Sequence, residues 1–211
     1  MKKRRILRLA SLLLVGILML SGCTGIDQDG HANQGPLGDD LICLDYNSYT
    51  GYVGGKYVFN VASILVKNQS ETYLEYATIQ CDIGSRKGTF QIEGLPPGQM
   101  CWVLEQDLMS LSQGEKFVAT ACDTFLFNPD ALLETRDLHV TIDGNTMYVT
   151  NQSGKMMTDV EICFKNWYSQ GVLFGGEVYK VTISELAPGD SASQQHAYLG
   201  DSSQIVKFSY Q

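Results

Sequence analysis

The stretch Ala77-Thr78-Ile79-Gln80-Cys81-Asp82-Ile83 decides the fold class of the chain. Every second residue is apolar, which is the period of a β-strand that is buried on one face. The pattern returns 83 residues later, where Val160, Ile162 and Phe164 hold the apolar positions. The chain also has 11 Tyr and 21 Gly, a composition that favours strands and turns over helices. The sequence therefore predicts an all-β protein.

The turns that flank this strand are repeated as well. Asn68-Gln69-Ser70 precedes the first copy, and Asn151-Gln152-Ser153 precedes the second at the same offset of 83. After the strand, Ile92-x-x-Leu95-x-Pro97-Gly98 is matched by Ile183-x-x-Leu186-x-Pro188-Gly189 at an offset of 91. Three matched features in one order indicate a duplicated β-module. The change in offset means that the second copy carries eight extra residues between these strands.

Turn signals between short apolar runs predict two tandem immunoglobulin-like β-sandwich modules. We expect the first module over residues 41–127, a linker over residues 128–137 and the second module over residues 138–211. Within the second module, Asp143-Gly144 lies between two apolar runs, which is typical of a tight β-hairpin.

The N-terminus predicts export. A basic head precedes the run Leu9 to Leu20, whose length of about twelve residues suits a signal peptide and is too short to span a bilayer as a helix. The run ends in Leu20-Ser21-Gly22-Cys23, which resembles the lipobox of bacterial lipoproteins. The resemblance implies that residues 1–22 are a lipoprotein signal peptide, removed before Cys23, and that the Cys23 sulfur carries a diacylglycerol.

Residues 23–40 are then the lipidated cysteine and a flexible tether, because they are rich in Gly, Asp, Asn and Gln and nearly free of apolar residues. Two or three acyl chains on one cysteine hold a protein on a membrane far more firmly than one chain does. We therefore expect an extracytoplasmic body that is lipid-anchored to a bacterial cell membrane.

The repeated asparagine turn, alternating strand and Ile-x-x-Leu-x-Pro-Gly turn resemble those of small extracytoplasmic bacterial modules of the FxLYD-type and CARDB-like families. The resemblance covers about 45 to 60 residues of each copy. It implies adhesion, display or scaffolding, and it implies no catalysis.

Composition and motifs exclude several function classes. Removal of residues 1–22 leaves 10 basic against 23 acidic residues, a net charge of −13, which argues against nucleic acid as a partner. The chain has no G-x-S-x-G nucleophile elbow and no closely spaced pair of His or Cys for zinc. Gly54-Gly55 and Gly175-Gly176 lack the lysine and helix of a phosphate loop. We therefore predict no catalytic residue, no metal site and no cofactor.

Beyond Cys23, five cysteines remain, an odd number that leaves at least one unpaired within a monomer: Cys43, Cys81, Cys101, Cys122 and Cys163. We expect them to be mostly free and buried. If one disulfide forms, Cys101–Cys122 is the first candidate.

Two aromatic stretches are candidate binding surfaces, because rings among Gly and Ser offer adaptable contact area. The first fills the eight-residue excess of the second copy, where Trp167, Tyr168 and Phe174 are the candidate binding loop. The second is Tyr46-x-x-Tyr49-x-x-Tyr52, followed by Tyr57. The competing interpretation, which we favour, is that these aromatic residues pack over the core or extend a hairpin.

These features predict a membrane-anchored extracytoplasmic lipoprotein that displays β-sandwich modules, without catalysis, for interaction with a protein or a cell-envelope polymer. The alternative is an accessory solute- or glycan-binding lipoprotein of an envelope transport system.

The substitution Cys23→Ser is expected to abolish lipid labelling and to release or mislocalise the protein, because serine lacks the thiol that forms the thioether. Labelling of cells with a fatty-acid precursor, followed by separation of membrane and soluble fractions, measures both effects. Cys43→Ser is the matched control and should stay lipidated. Unchanged membrane retention of the Cys23 variant would contradict the lipoprotein prediction.

Overall fold

The computed structural model describes residues 40–112 and 114–211, with the side chains of residues 120–125 left out. The predicted signal peptide and nearly all of the tether, including Cys23, lie outside these residues. The described residues are all β, which confirms the predicted fold class. Within them no helix is long and apolar enough to cross a membrane.

The first half of the described chain contains six strands: β1 (Leu41–Val53), β2 (Lys56–Asn68), β3 (Tyr73–Ile83), β4 (Arg86–Leu95), β5 (Met100–Leu104) and β6 (Phe117–Asn128). The second half contains another six: β7 (Leu138–Asp143), β8 (Thr146–Asn151), β9 (Met157–Ser169), β10 (Val172–Leu186), β11 (Ser191–Gln195) and β12 (Ser203–Ser209). The predicted Asp143-Gly144 hairpin joins β7 to β8, and Gly144 has the positive φ of 55° that a tight turn requires.

The two halves repeat one connectivity. In the first half, antiparallel pairing gives the triplets β1-β2-β5 and β4-β3-β6. In the second half, the corresponding strands give β7-β8-β11 and β10-β9-β12. The triplets of each half enclose a hydrophobic core, so each half is built as a small β-sandwich. The immunoglobulin-like subclass and the exact module limits remain predictions.

The asparagine side chains of the two repeated turns make the same hydrogen bonds. The Asn68 Nδ2 group donates to the carbonyl oxygens of Thr72 (2.8 Å) and Leu95 (2.9 Å). The Asn151 Nδ2 group donates in the same way to Lys155 (2.8 Å) and Leu186 (2.8 Å). Both asparagines are fully buried, so each amide ties the end of one strand to the end of a strand in the opposite sheet.

The serine of each turn completes the network. The hydroxyl groups of Ser70 and Ser153 donate to the Oδ1 atoms of Asn68 (2.8 Å) and Asn151 (2.7 Å). The backbone N–H of Ser70 and of Ser153 also donates to these oxygens. In both copies the Asn-x-Ser pair thus supplies hydrogen bonds to polar groups that the turn buries.

The halves are joined through one continuous sheet. β5 pairs in parallel with the start of β10, in the register Met100↔Val172, Cys101↔Leu173 and Trp102↔Phe174. This pairing links β1-β2-β5 to β10-β9-β12 in a six-stranded sheet. The paired part of β10 belongs to the eight extra residues of the second copy, so the insertion supplies the connection.

Side chains on both faces of β9 are buried because the two cores lie on either side of it. Ile162 and Phe164 belong to the core of the second half. Cys163, together with Leu173 of β10 and Val206 of β12, belongs to the core of the first half. The second half therefore contributes side chains to the core of the first half, and the two halves pack directly against each other.

Polar contacts also cross the junction. The Lys207 ammonium lies 2.9 Å from Glu75 Oε1, and Asn128 Nδ2 donates to the same oxygen at 2.8 Å. Burial alone would raise the pKa of Glu75, but these hydrogen bonds outweigh burial and lower that pKa below its usual value. In the predicted linker, the Leu132 carbonyl oxygen accepts from the Phe208 N–H at 2.8 Å, so this segment is held against β12.

The cysteine predictions have two outcomes. Cys43, Cys81, Cys101 and Cys163 are free and buried, as expected. The candidate Cys101–Cys122 bridge is wrong, because the Cys101 thiol is free and its Sγ contacts the Gly175 carbonyl oxygen at 3.3 Å. Burial raises the pKa of Cys101 and of Cys163 to about 11, so both thiols stay protonated at neutral pH.

The substitution Asn151→Asp is expected to lower the free energy of unfolding by about 3 kcal/mol, because a carboxylate oxygen would face two buried carbonyl oxygens in place of an N–H donor. Urea unfolding followed by circular dichroism measures the loss. Asn145→Asp is the matched control, since Asn145 is exposed in a turn, and its effect should be small. Equal losses in the two variants would contradict the role assigned to the buried amide.

Candidate functional site

A groove of about 720 Å³ lies where the two halves meet. Its volume is within the range of sites that bind small ligands or single side chains of a partner. The first half contributes the β1–β2 hairpin, part of β4 and the end of β5, and the second half contributes β9, β10 and the segment before β12. We call this feature the junction groove.

Aromatic rings form much of the junction groove: Tyr52, Phe174, Tyr179 and Tyr198. Tyr179 and Tyr198 are stacked, with ring centroids 4.6 Å apart. The Phe174 ring also contacts the ring of Tyr49, which does not line the groove, with centroids 4.9 Å apart. Tyr52 and Tyr198 are 71% and 43% exposed, so their faces are available to a ligand at the rim.

The polar part of the junction groove is acidic. Glu93, Glu105 and Glu177 line it together with amide side chains, and its described lining contains no lysine or arginine. Burial raises the pKa of Tyr179, and the neighbouring Glu177 carboxylate raises it further. The lining therefore suits neutral or positively charged groups and opposes anions.

Glu105 differs from the other two carboxylates because its oxygens are already occupied. Its side chain is 2% exposed and accepts hydrogen bonds from the backbone N–H groups of Thr89 (3.2 Å), Asp107 (2.9 Å) and Met109 (2.9 Å). Glu105 thus fixes the loop after β5, which carries one wall of the groove. In the described chain neither Glu93 nor Glu177 forms an ion pair.

A buried lysine supports the groove from below. The β9–β10 pairing is interrupted between Phe174 and Tyr179. The Lys165 ammonium is fully buried at this bulge and donates to the carbonyl oxygens of Glu93 (3.0 Å), Gly176 (3.2 Å) and Glu177 (2.7 Å). Three acceptors satisfy its three protons. Lys165 thereby fastens the bulge of the second half to β4 of the first half.

Two further features define this contact. Burial lowers the pKa of Lys165 below its usual value, although the negative groups around it oppose the shift. A Cβ atom at Gly176 would collide with the Gln91 carbonyl oxygen, so only glycine lets the bulge approach β4 this closely.

The structure separates the three residues of the candidate binding loop. They lie at the β9–β10 hairpin, as the competing interpretation expected. Trp167 packs against the core of the first half. The rings of Tyr168 and Phe174 are stacked, with their centroids 5.7 Å apart. Of the three residues, only Phe174 lines the junction groove.

The second aromatic stretch is also divided. Tyr46 is buried and stacks on Phe117 at 4.8 Å, while Tyr49 reaches Phe174 and Tyr52 reaches the groove. The structure therefore brings the two predicted stretches together through Tyr49, Tyr52 and Phe174.

Sequence reasoning missed Lys165, Glu93, Glu105 and Glu177, and the pair Tyr179 and Tyr198. The one local signal was the change of offset from 83 to 91, which marks the insertion that places β10 against β5. Among the described residues, no three His, Cys, Asp or Glu side chains are grouped to hold a metal ion.

The chain matches no protein-family model, and no curated protein is similar to it at a significant level. The groove itself therefore carries the argument about function.

The substitution Lys165→Met is expected to lower the free energy of unfolding by about 3 kcal/mol, because it leaves three buried carbonyl oxygens without a donor. Lys180→Met is the matched control: Lys180 is half exposed and pairs with Glu161 at 3.2 Å, a contact that contributes about 0.5 kcal/mol or less. Chemical denaturation of both variants measures the difference. Similar small losses would contradict the role of Lys165 at the junction.

Proposed function

We propose that the chain is a membrane-anchored extracytoplasmic lipoprotein whose duplicated β-body binds a protein or a cell-envelope polymer without catalysis. The N-terminal signal supports the anchor and the location. The junction groove carries the binding part of the proposal, because it combines exposed aromatic rings with polar groups at a place that both halves build.

Exposed aromatic rings beside the groove favour a protein or polymer partner over a fully enclosed solute. Tyr52 projects from the β1–β2 hairpin, and its ring lies against Tyr57 at 5.2 Å. Phe59 on the same hairpin is 69% exposed. Exposed rings next to a groove are the groups that most often carry binding energy at interfaces.

A glycan or solute ligand is the second candidate, and the amide lining favours it. Gln91 and Gln106 line the groove beside the tyrosines, whereas the amide of Asn166 already bonds to the Tyr198 carbonyl oxygen and the Ser203 hydroxyl group. Amides donate and accept hydrogen bonds with sugar hydroxyl groups, and tyrosine faces stack on the apolar face of a sugar ring.

The double substitution Tyr52→Ala/Tyr198→Ala is expected to reduce capture of the native partner by about tenfold, which corresponds to 1.4 kcal/mol of lost binding. Capture is measured by crosslinking on intact cells that carry the anchored full chain, followed by quantification of the crosslinked partner. Tyr148→Ala is the control, because Tyr148 is 46% exposed on β8 and does not line the groove.

A glycan array probed with the same variants separates the two candidates. Loss of glycan binding with unchanged capture of the native partner would favour the second candidate. Unchanged capture and unchanged glycan binding would show that the groove is not the binding site.

A further inference from the structure

We infer that the junction groove recognises a primary ammonium group on an aliphatic stem, such as the side chain of a lysine in a partner protein. The inference rests on the proposed function and adds the chemical class of the ligand. It follows from the acidic charge of the lining, from the exposed tyrosine rings at the rim of the groove, and from the hydrogen bonds that already occupy Glu105 and Lys165.

The charge of the groove is not balanced by its own cation. Lys180 lies outside the groove lining but interacts electrostatically with Glu93. The buried Lys165 ammonium has its three protons bound by the carbonyl oxygens of Glu93, Gly176 and Glu177. Together these two ammonium groups offset at most two charges, while the groove contains three carboxylates. A ligand that enters therefore meets a net negative surface, which favours a cation.

Two carboxylates remain available to that cation. Glu105 is saturated by backbone N–H donors. Glu93 and Glu177 line the groove from β4 and from the β10 bulge. Within the described residues neither side chain forms an ion pair, and Glu93 also borders a smaller pocket where it interacts electrostatically with Lys180. An ammonium group supplies three donors, enough to bind both carboxylates.

The aromatic rim suits the stem of the same side chain. Tyr52 and Tyr198 are exposed, and Tyr198 is stacked on Tyr179, which lies beside the Glu177 carboxylate. A lysine that enters over these rings covers them with its methylene groups and brings its ammonium to the acidic floor. A contact of this kind already exists within the chain, where Lys207 pairs with Glu75 and lies 5.5 Å from the centre of the Tyr73 ring.

Two amino acids with blocked backbone termini test the inference on the full chain: Nα-acetyl-lysine N-methylamide, whose side-chain ammonium is free, and Nα-acetyl-norleucine N-methylamide. Norleucine keeps the aliphatic stem and lacks the ammonium. We expect the lysine probe to bind at least tenfold more tightly, measured by chemical-shift titration of groove residues. The advantage should shrink as salt rises, since charge attraction is screened.

The double substitution Glu93→Gln/Glu177→Gln should remove most of the preference for lysine, because it keeps the shape of both side chains and removes their charge. Glu185→Gln is the matched control, since Glu185 is exposed on β10 outside the groove, and it should keep the preference. Thermal unfolding of each variant confirms that the fold is intact before binding is compared.

Equal binding of the two probes, or an unchanged preference in the Glu93/Glu177 variant, would overturn the inference. If the tyrosine variant still loses the native partner in that case, the proposed function stands and only the ligand class is wrong. If the lysine preference is found while capture of the partner does not depend on the tyrosines, the chemistry of the groove stands and the proposed function fails.

Discussion

The parallel pairing of β5 with β10 is the contact on which the rest of the structure depends. β5 is an outer strand of its own triplet, and an outer strand exposes unpaired N–H and C=O groups. The start of β10 covers that edge through three residue pairs, Met100↔Val172 to Trp102↔Phe174. The same pairing turns two triplets into one sheet and brings β10 next to β4, where the junction groove forms.

The bulge in β10 is the structural cost of this arrangement. Its start pairs with β5 on one side and with β9 on the other. The ladder to β9 is then interrupted between Phe174 and Tyr179, where Gly176 packs against the Gln91 carbonyl group of β4. Backbone carbonyl groups freed by a bulge are expensive to bury unless a donor reaches them. Lys165 supplies that donor, and burial of its charge is tolerated because each of its three protons finds an acceptor.

Much of the fold was predictable because its signals are local. Alternation with period two in Ala77 to Ile83 identified a half-buried strand, and the Asn-x-Ser and Pro-Gly turns identified the repeat. These motifs persist since each solves a problem within one half, as the buried amides of Asn68 and Asn151 show.

The site was not predictable in the same way, because it arises between the halves. The alternation in β9 predicted that Ile162 and Phe164 face inward, which is correct, but it gave no reason to bury Lys165 on the other face. At the equivalent place the first copy has Asp82, whose side chain is 45% exposed and pairs with Lys87. The same position is therefore exposed to solvent in the first copy, as Asp82, and buried at the junction in the second, as Lys165. The difference depends on which strands the insertion brings together, and that information lies in the packing of both halves.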